Sequence, residues 1–327
     1  MAQTREEDKE RAMYPSDLSN VALQPPRDYV AMLPAAIRVA MGLHPLDLAE
    51  WIEVDDRLPD ELAEKRRLLA DRRGDVLRLM PAAAAGAKET LALLVEHLPR
   101  RYPQVYRQEG ARLANRATGE TWDLAADDLH PLELASRLVQ EDLCLMGRED
   151  GDDHYRLTGA CVCFPTRWRM PEKLGRSLNA IHEPVPHYAP ALTSPMDRLF
   201  ARLPVERPVW RLNVSILDSP ALFQPGGHER AAGEPPITAE NAGDSLWLRM
   251  ERQTLRRLPQ SGDILFTIRV YSRPLAALAG RPERAARLAA ALRGVDAKLA
   301  AYKGIEPVRA AAIAWLERAA GQAGGAA

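Results

Sequence analysis

The sequence predicts an α+β protein in which an antiparallel sheet is flanked by N-terminal and C-terminal helices. Three observations support this class. Apolar residues recur at helical spacing before residue 101, and they do so again after Pro282. Between these regions, residues 210–217 carry alternating apolar and polar side chains with the period of a strand. Helices, then a group of strands, then helices again favour separate α and β regions over a regular βαβ repeat.

Two helices are predicted between Pro59 and Arg100, separated by Gly-Asp and Pro-Ala breaks. The apolar stripe of each helix is built from leucines three and four residues apart. The segment His130–Met146 also predicts a helix, with Leu132 and Leu138 on its inner face. A further helical region starts at Pro282, and Pro307 opens a last helix that contains Trp315.

The clearest strand is WRLNVSIL, in which four apolar residues alternate with Arg211, Asn213 and Ser215. The segment 155–164 is apolar on both faces, which predicts a central strand that is covered on each side. Two more strands are predicted in the segments 245–259 and 263–275. Each carries charged or polar residues on one face: Arg249 and Glu251 on the first, and Thr267, Arg269 and Tyr271 on the second.

Composition narrows the class of protein. The 327 residues carry 44 Lys and Arg against 45 Asp and Glu, so no overall field favours nucleic acid or an anionic membrane as partner. The acidic, polar first residues and the short apolar runs predict a cytoplasmic protein. We expect a flexible leader over residues 1–27, one domain over 28–320, and a flexible tail over 321–327. The Gly- and Pro-rich loop 225–244 is a candidate flap.

Three cysteines occur in the chain, Cys144, Cys161 and Cys163, without CxxC spacing. This pattern argues against a disulfide scaffold and against a self-contained zinc or iron–sulfur site. A thiolate of the GACVC segment could in principle ligate haem iron, but its apolar flanks favour buried, reduced thiols.

The segment 139–186 holds most of the residues that indicate chemistry. His182 and His187 lie in IHEPVPHY, where two prolines stiffen the backbone and fix the direction of the imidazoles. A preorganised imidazole suits an axial haem ligand or a general base. The alternative is a histidine that only caps a turn or bonds a backbone carbonyl.

Arginines on the predicted strands form a second candidate group. Arg211, Arg249 and Arg269 lie on the less apolar faces, and buried guanidinium groups seek carboxylates or phosphates. Haem propionates, a nucleotide, or the chain's own Glu141, Asp142 and Glu251 could serve as partners, and internal pairing is the commonest outcome. The motifs GxGxxG, GxxxxGK[ST], HExxH and GxSxG are absent from the sequence, so dinucleotide, P-loop, zincin and serine-hydrolase classes lack support.

Several segments together resemble the alpha subunit of haem-dependent oxidative N-demethylase. They are, in chain order, MGLHPLD with Trp51, VQEDLCLM, ACVCFPTRW followed by Lys173, IHEPVP, VWRLNVSI and ERQTLRRLPQSGDILFTIRVY. The similarity covers roughly residues 40–278. It implies a PAS-like antiparallel sheet that binds haem b and oxidises a methyl group of a small secondary amine, such as dimethylamine, with dioxygen. The products are the demethylated amine and formaldehyde.

The resemblance also implies cofactors and partners outside this chain. Electrons in that family come from NADPH through FMN and a 2Fe-2S cluster on separate reductase subunits. The lack of a dinucleotide or cluster motif in this sequence fits that division.

Site residues follow from the resemblance, position by position. His182 is the expected iron ligand, with His187 as substitute, and Arg211 with Arg249 or Arg252 is expected to contact the propionates. Glu141 and Asp142 are the expected carboxylates for a cationic amine and its proton. Two other classes stay open: a haem-binding PAS-like sensor, which would need an output segment, and a haem-free interaction protein that keeps the fold.

Overall fold

The protein is described here from a computed structural model that covers residues 22–126, 128–148, 154–226 and 235–321. Its centre is a seven-stranded antiparallel sheet. The strands of this sheet are β1 (His44–Pro45), β2 (Leu77–Leu79), β6 (Asp142–Gly147), β7 (Arg156–Cys161), β8 (Val209–Leu217), β9 (Trp247–Arg257) and β10 (Ile264–Pro274). They lie side by side in the order β1-β8-β9-β10-β6-β7-β2.

A second, three-stranded sheet is formed by β3 (Tyr106–Glu109), β4 (Arg112–Asn115) and β5 (Glu120–Asp123). Its two tight turns contain Gly110 and Gly119, whose φ angles of 57° and 74° lie in the left-handed region that favours glycine. These strands correspond to the short runs between turn residues that follow residue 101 in the sequence.

The helices surround the large sheet. Four helices precede β6 in the chain: α1 (Leu58–Asp71), α2 (Arg73–Val76), α3 (Ala84–Arg101) and α4 (Pro131–Leu138). Between β7 and β8 lie α5 (Leu178–His182) and α6 (Tyr188–Arg202), and α7 (Ala242–Ser245) precedes β9. The C-terminal helices are α8 (Pro282–Arg293), α9 (Ala297–Tyr302) and α10 (Glu306–Gly321).

The two faces of the sheet are covered by different helices. Residues that pair directly share a face, so Asn213 opposite Glu251 and Arg211 opposite Gln253 lie on one side. Leu178 of α5 and other apolar residues of α5 and α6 pack on this side, which we call the α5–α6 face. The N-terminal helices and the C-terminal helices cover the opposite face. The site residues of the α5–α6 face therefore lie between the sheet and a thin helical layer.

The predicted strand 210–217 and the two arginine-bearing strands are confirmed, as are both N-terminal helices and the C-terminal helical region. The helix predicted over His130–Met146 is wrong in its second half. Helix α4 ends at Leu138, Val139 is already extended with φ −134° and ψ 157°, and β6 follows from Asp142. Because β6 has strands on both sides and is buried along its whole length, its apolar run lacks the alternation that marks a half-exposed strand.

The strand predicted over 155–164 is shorter than expected. It ends at Cys161 and lies beside the three-residue edge strand β2, so it is second from the edge and not at the centre. Residues 1–21 of the predicted leader, residues 227–234 of the candidate flap, and residues 322–327 of the tail lie outside the described residues. In the described part of the leader, the Gln24 carbonyl accepts a hydrogen bond from the Asp56 amide at 2.9 Å.

Among the described residues, no helix combines the length and the apolar character that crossing a bilayer requires. The cytoplasmic location stays a prediction from composition.

Candidate functional site

His182 ends the short helix α5, which begins at Ser177. The Ser177 hydroxyl accepts from the Ala180 amide at 3.3 Å and caps the helix. One turn later, Nδ1 of His182 lies 2.9 Å from the carbonyl oxygen of Leu178. A carbonyl can only accept, so Nδ1 carries the proton in this contact, and the lone pair of a neutral imidazole is left on Nε2. That tautomer is the one a metal-ligating histidine needs.

The environment of His182 holds the imidazole neutral. Burial lowers its pKa below the ordinary value, and the positive charges of Arg211 and Lys173 act in the same direction. The ring stacks on Tyr188 of α6 with centroids 4.7 Å apart and an interplanar angle of 11°. The ring direction is therefore fixed by one hydrogen bond and one stacking contact.

His187 lies in a different setting. Its backbone is left-handed with φ 64°, its side chain is 49% exposed, and Nε2 contacts Oδ1 of Asp296 at 3.3 Å. The structure thus separates the two histidines of IHEPVPHY: His182 faces the protein interior, and His187 forms an exposed pair with a carboxylate.

Unpartnered polar atoms gather around His182. In the part of the chain that the structure describes, Nε of Arg211 and the hydroxyl of Tyr188 are buried without a hydrogen-bond partner. Burial lowers the pKa of Arg211, while Glu251 and Tyr188 oppose that effect. Buried polar groups are nearly always paired in folded proteins, so orphaned donors beside a free imidazole nitrogen fit a site completed by an anionic, metal-containing ligand.

Glu251 is the carboxylate of the α5–α6 face that lies nearest this cluster in the sheet register. It is 7% exposed and accepts from Asn213 Nδ2 at 3.1 Å and from Gln253 Nε2 at 2.8 Å. The hydroxyl of Thr166 donates to its other oxygen. Its partners are neutral, so its charge acts through space on Arg211.

Lys303, from the turn after α9, joins the same network. Its Nζ donates to Asn213 Oδ1 at 2.8 Å and to the Val214 carbonyl at 3.0 Å. Burial, together with the smaller effect of the Arg211 charge, lowers its pKa to about 8 against the opposing charge of Glu251. The sequence analysis missed this residue because 90 positions separate it from Asn213 and no motif surrounds it.

Arg249 and Arg252 are engaged with the backbone. The guanidinium of Arg249 donates to the carbonyls of Phe164 at 2.9 Å, Ala221 at 3.0 Å and Leu222 at 2.8 Å, and to Thr166 Oγ1 at 3.0 Å. Arg249 therefore clamps the two loops that follow β7 and β8.

Arg252 lies on the opposite face of the sheet, where it donates to the carbonyls of Glu50 at 2.6 Å and Trp51 at 3.1 Å. Arg269 shares that face and pairs with Asp55 and Glu61, both at 2.6 Å. Internal pairing is thus the outcome for Arg269, and the three strand arginines of the sequence analysis do not form one group.

The two predicted carboxylates are fully buried on opposite sides of the sheet. Glu141 accepts from the Glu53 amide at 2.9 Å, its Oε2 has no partner among the described residues, and burial raises its pKa to about 7. Asp142 accepts from the amides of Cys163 at 2.8 Å and Phe164 at 2.9 Å, and burial raises its pKa to about 6. Asp142 is on the α5–α6 face, three strands away from Arg211 in the same register row.

A separate cavity of about 320 Å³ opens between α2, β2 and the loops that follow β7 and β8. Its wall includes Arg72, Arg78, Trp168, Arg169, Met170 and Phe223. The His182 side chain does not line it. All three cysteines are buried and free.

The described part of the chain has no group of three or more His, Cys, Asp and Glu side chains that could hold a metal ion. A single histidine suits a metal whose other ligands come from a macrocycle. Fold and site thus define an α+β protein in which a neutral, half-buried histidine, His182, lies beside the unpartnered Nε of Arg211 and the unpartnered hydroxyl of Tyr188.

The family model described as haem-dependent oxidative N-demethylase, alpha subunit-like, matches residues 42–313 of this chain. The chain belongs to this family, and the resemblance expected from the sequence is confirmed. The family's name denotes a haem-dependent oxidoreductase and an alpha subunit, which implies a multi-subunit enzyme.

Proposed function

We propose that this protein is the haem-binding alpha subunit of an oxidative N-demethylase. In this proposal the domain over residues 28–320 oxidises a methyl group of a small secondary amine such as dimethylamine. Amine, dioxygen, an electron pair and two protons give the primary amine, formaldehyde and water. The electrons come from NADPH through FMN and 2Fe-2S centres on reductase subunits. Family membership supports the class of reaction.

The single observation that carries the proposal is the state of His182. Its Nδ1 donates to the Leu178 carbonyl, its ring stacks on Tyr188, and its Nε2 has no partner within the described chain. The lowered pKa keeps that nitrogen free of a proton at neutral pH. Haem bound there would supply dioxygen activation, and His182 would hold its iron.

Arg211 is the best-supported contact for a haem propionate. It is half-buried near His182 and Tyr188, and its buried Nε lacks a hydrogen-bond partner among the described residues. Arg249 and Arg252, the other arginines expected in this role, donate hydrogen bonds to backbone carbonyls. Their contribution to haem binding would therefore be indirect, through the loops that they hold.

A carboxylate must balance the charge of a dimethylammonium ion and accept its proton. Glu251 shares the α5–α6 face with Arg211, whereas Glu141 faces the other side and Asp142 is held by two backbone amides. We therefore place Glu251 ahead of Glu141 and Asp142 as the carboxylate nearest the substrate.

The proposal includes a PAS-like sheet, as the resemblance implies. Counted along the chain from β6, the five longest strands of the large sheet lie in the order 2-1-5-4-3, with α5 and α6 in the connection between the second and third. His182 lies in this connection, which covers one face of the sheet.

The test is haem binding by two histidine variants. Protein from haem-supplemented cells is compared as wild type, His182→Ala and His187→Ala, with haem measured as the pyridine haemochrome. We expect His182→Ala to lose haem or its axial-ligand spectrum while its circular dichroism is unchanged, and His187→Ala to match wild type because that side chain is exposed. Unchanged haem content and spectrum in His182→Ala would overturn the assignment.

A further inference from the structure

Positive charge exceeds negative charge at the edge of the α5–α6 face. Arg211 and Lys303 both lie there, and Glu251 is the carboxylate whose charge acts on each of them. That carboxylate already accepts hydrogen bonds from Asn213, Gln253 and Thr166. Two half-buried cations thus share one anion among the described residues, and charges withdrawn from water normally have a partner each.

Lys303 reaches this face from the other layer of the protein. The turn that carries it follows α9, which packs on the opposite face through Leu299 and Ala300. The short strand β1 pairs with β8 only at Val209 and Trp210, so the β8 edge is open at Val214. Lys303 passes around this edge, donates to the Val214 carbonyl at 3.0 Å, and meets the Asn213 side chain at 2.8 Å.

The ammonium group of Lys303 has three N–H donors, and these contacts use two of them. A lysine that served only to cap an edge carbonyl would not need a site beside a second cation. Asn213, which Lys303 contacts, lies two residues along β8 from Arg211 and on the same face of the sheet. Two cations at this spacing suit a ligand with two carboxylate groups.

We propose that Lys303 and Arg211 each bind one carboxylate of the haem, so that the C-terminal helices complete a site built mainly by the sheet and α5. This inference rests on the proposed function, and it adds a residue that neither the sequence motifs nor the family match assigns. Asn213 and Glu251 orient the lysine, and Tyr302, its neighbour on α9, borders the same carboxylate.

The test variant is Lys303→Gln, which is neutral but can still donate to the Val214 carbonyl and so keeps the edge contact. Lys303→Arg keeps the charge, and Lys298→Met removes an exposed lysine of the same helix as a matched control. The measurement is the affinity of the haem-free protein for haem, titrated between pH 6 and pH 9, with circular dichroism to verify folding.

We expect Lys303→Gln to weaken haem binding about tenfold at pH 7, as the loss of one charge-assisted hydrogen bond implies. Wild-type affinity should fall as pH rises through about 8, where the lysine loses its proton, and Lys303→Gln should lack this step. Arg211, Glu251 and Tyr188 also face the site, and both proteins contain them, so a pH step that only the wild type shows comes from the lysine.

Lys303→Arg should stay within about threefold of wild type. If Lys303→Gln and Lys298→Met both match wild type in affinity and in pH dependence, while His182→Ala loses the axial ligand, the role of Lys303 is wrong and the proposed function stands. If wild-type protein binds no haem, both fail together.

Discussion

At the scale of single residues, buried charges differ in whether they have an ion-pair partner. On the face opposite α5 and α6, Arg269 is 0% exposed and forms ion pairs of 2.6 Å with Asp55 and Glu61, and Gln140 donates to both carboxylates. Each charge there has hydrogen-bonded partners, which is the condition under which a buried ion pair persists. On the α5–α6 face, Arg211 has no such ion pair among the described residues, and this contrast distinguishes the structural network from the candidate binding site.

The variant Arg269→Met should destabilise the protein by about 3–5 kcal/mol, because it leaves two buried carboxylates without their counter-ion. The measurement is the free energy of unfolding from urea denaturation. Arg100→Met is the control: Arg100 and Glu96 form an exposed pair one helical turn apart, worth about 0.5 kcal/mol or less. Equal, small losses in both variants would contradict the network.

Glu141 predicts a pH dependence of stability. Burial raises its pKa from 4.5 to about 7, so between these values the folded state holds a proton that the unfolded state releases. The contribution of this group to stability therefore falls as pH rises through that window. Glu141→Gln stays neutral, and its stability relative to wild type should rise by up to about 3 kcal/mol between pH 4.5 and pH 7.

Unfolding in urea at several pH values measures this difference, and Glu96→Gln, at an exposed helix position, supplies the control. A stability difference between wild type and Glu141→Gln that does not change with pH would show that the carboxyl group is ionised throughout. In that case its orphaned oxygen must have a partner that the hydrogen bonds described above do not include.

At the scale of elements, the strands with alternating residues were predictable and the buried strand was not. The segment 210–217 alternates because Leu212, Val214 and Ile216 pack in the core on one face, while Arg211, Asn213 and Ser215 lie on the α5–α6 face. Strand β6 is buried on both faces, so its sequence lacks a period of two and continues the helical pattern of α4. A sequence pattern reports the difference in polarity between the two faces of a strand, and it identifies the strand only where the faces differ.

The candidate site was predictable to a similar extent. His182 and Arg211 were found because one lies in a proline-stiffened motif and the other breaks an apolar strand. Lys303 was not found, since its role depends on the meeting of α9 with the edge of β8. Contacts between distant segments leave no local signal in a single sequence.

Packing between elements gives a third prediction. A Cβ on Gly159 of β7 would lie 2.8 Å from the Ala83 Cβ and 2.9 Å from Leu79 Cδ2, which is closer than side-chain contacts allow. Gly159→Ala should therefore lower stability by about 1–3 kcal/mol, seen as a lower Tm in calorimetry. Gly226→Ala, where nothing lies within 4 Å, is the matched control and should leave Tm unchanged. A Gly159→Ala protein as stable as the control would mean that β2 and β7 are less tightly packed.

At the scale of the whole molecule, the site depends on three parts of the chain. Arg211 and Glu251 lie on the sheet, and His182 lies in the connection between β7 and β8. Lys303 follows the C-terminal helix α9 and reaches around the sheet edge to the Val214 carbonyl. The family match, which extends to residue 313, includes all of these segments. In the proposed function, the sheet and both helical layers therefore form one functional unit.

The absorption spectrum of protein purified from haem-supplemented cells is the most direct test of the proposal that this protein is a haem-binding subunit of an N-demethylase. It is combined with a pyridine haemochrome titration and recorded again after dimethylamine is added. We expect a Soret band at close to one haem per chain, and we expect this band to shift when the amine binds. Well-folded protein without haem would contradict the cofactor, the site and the function together.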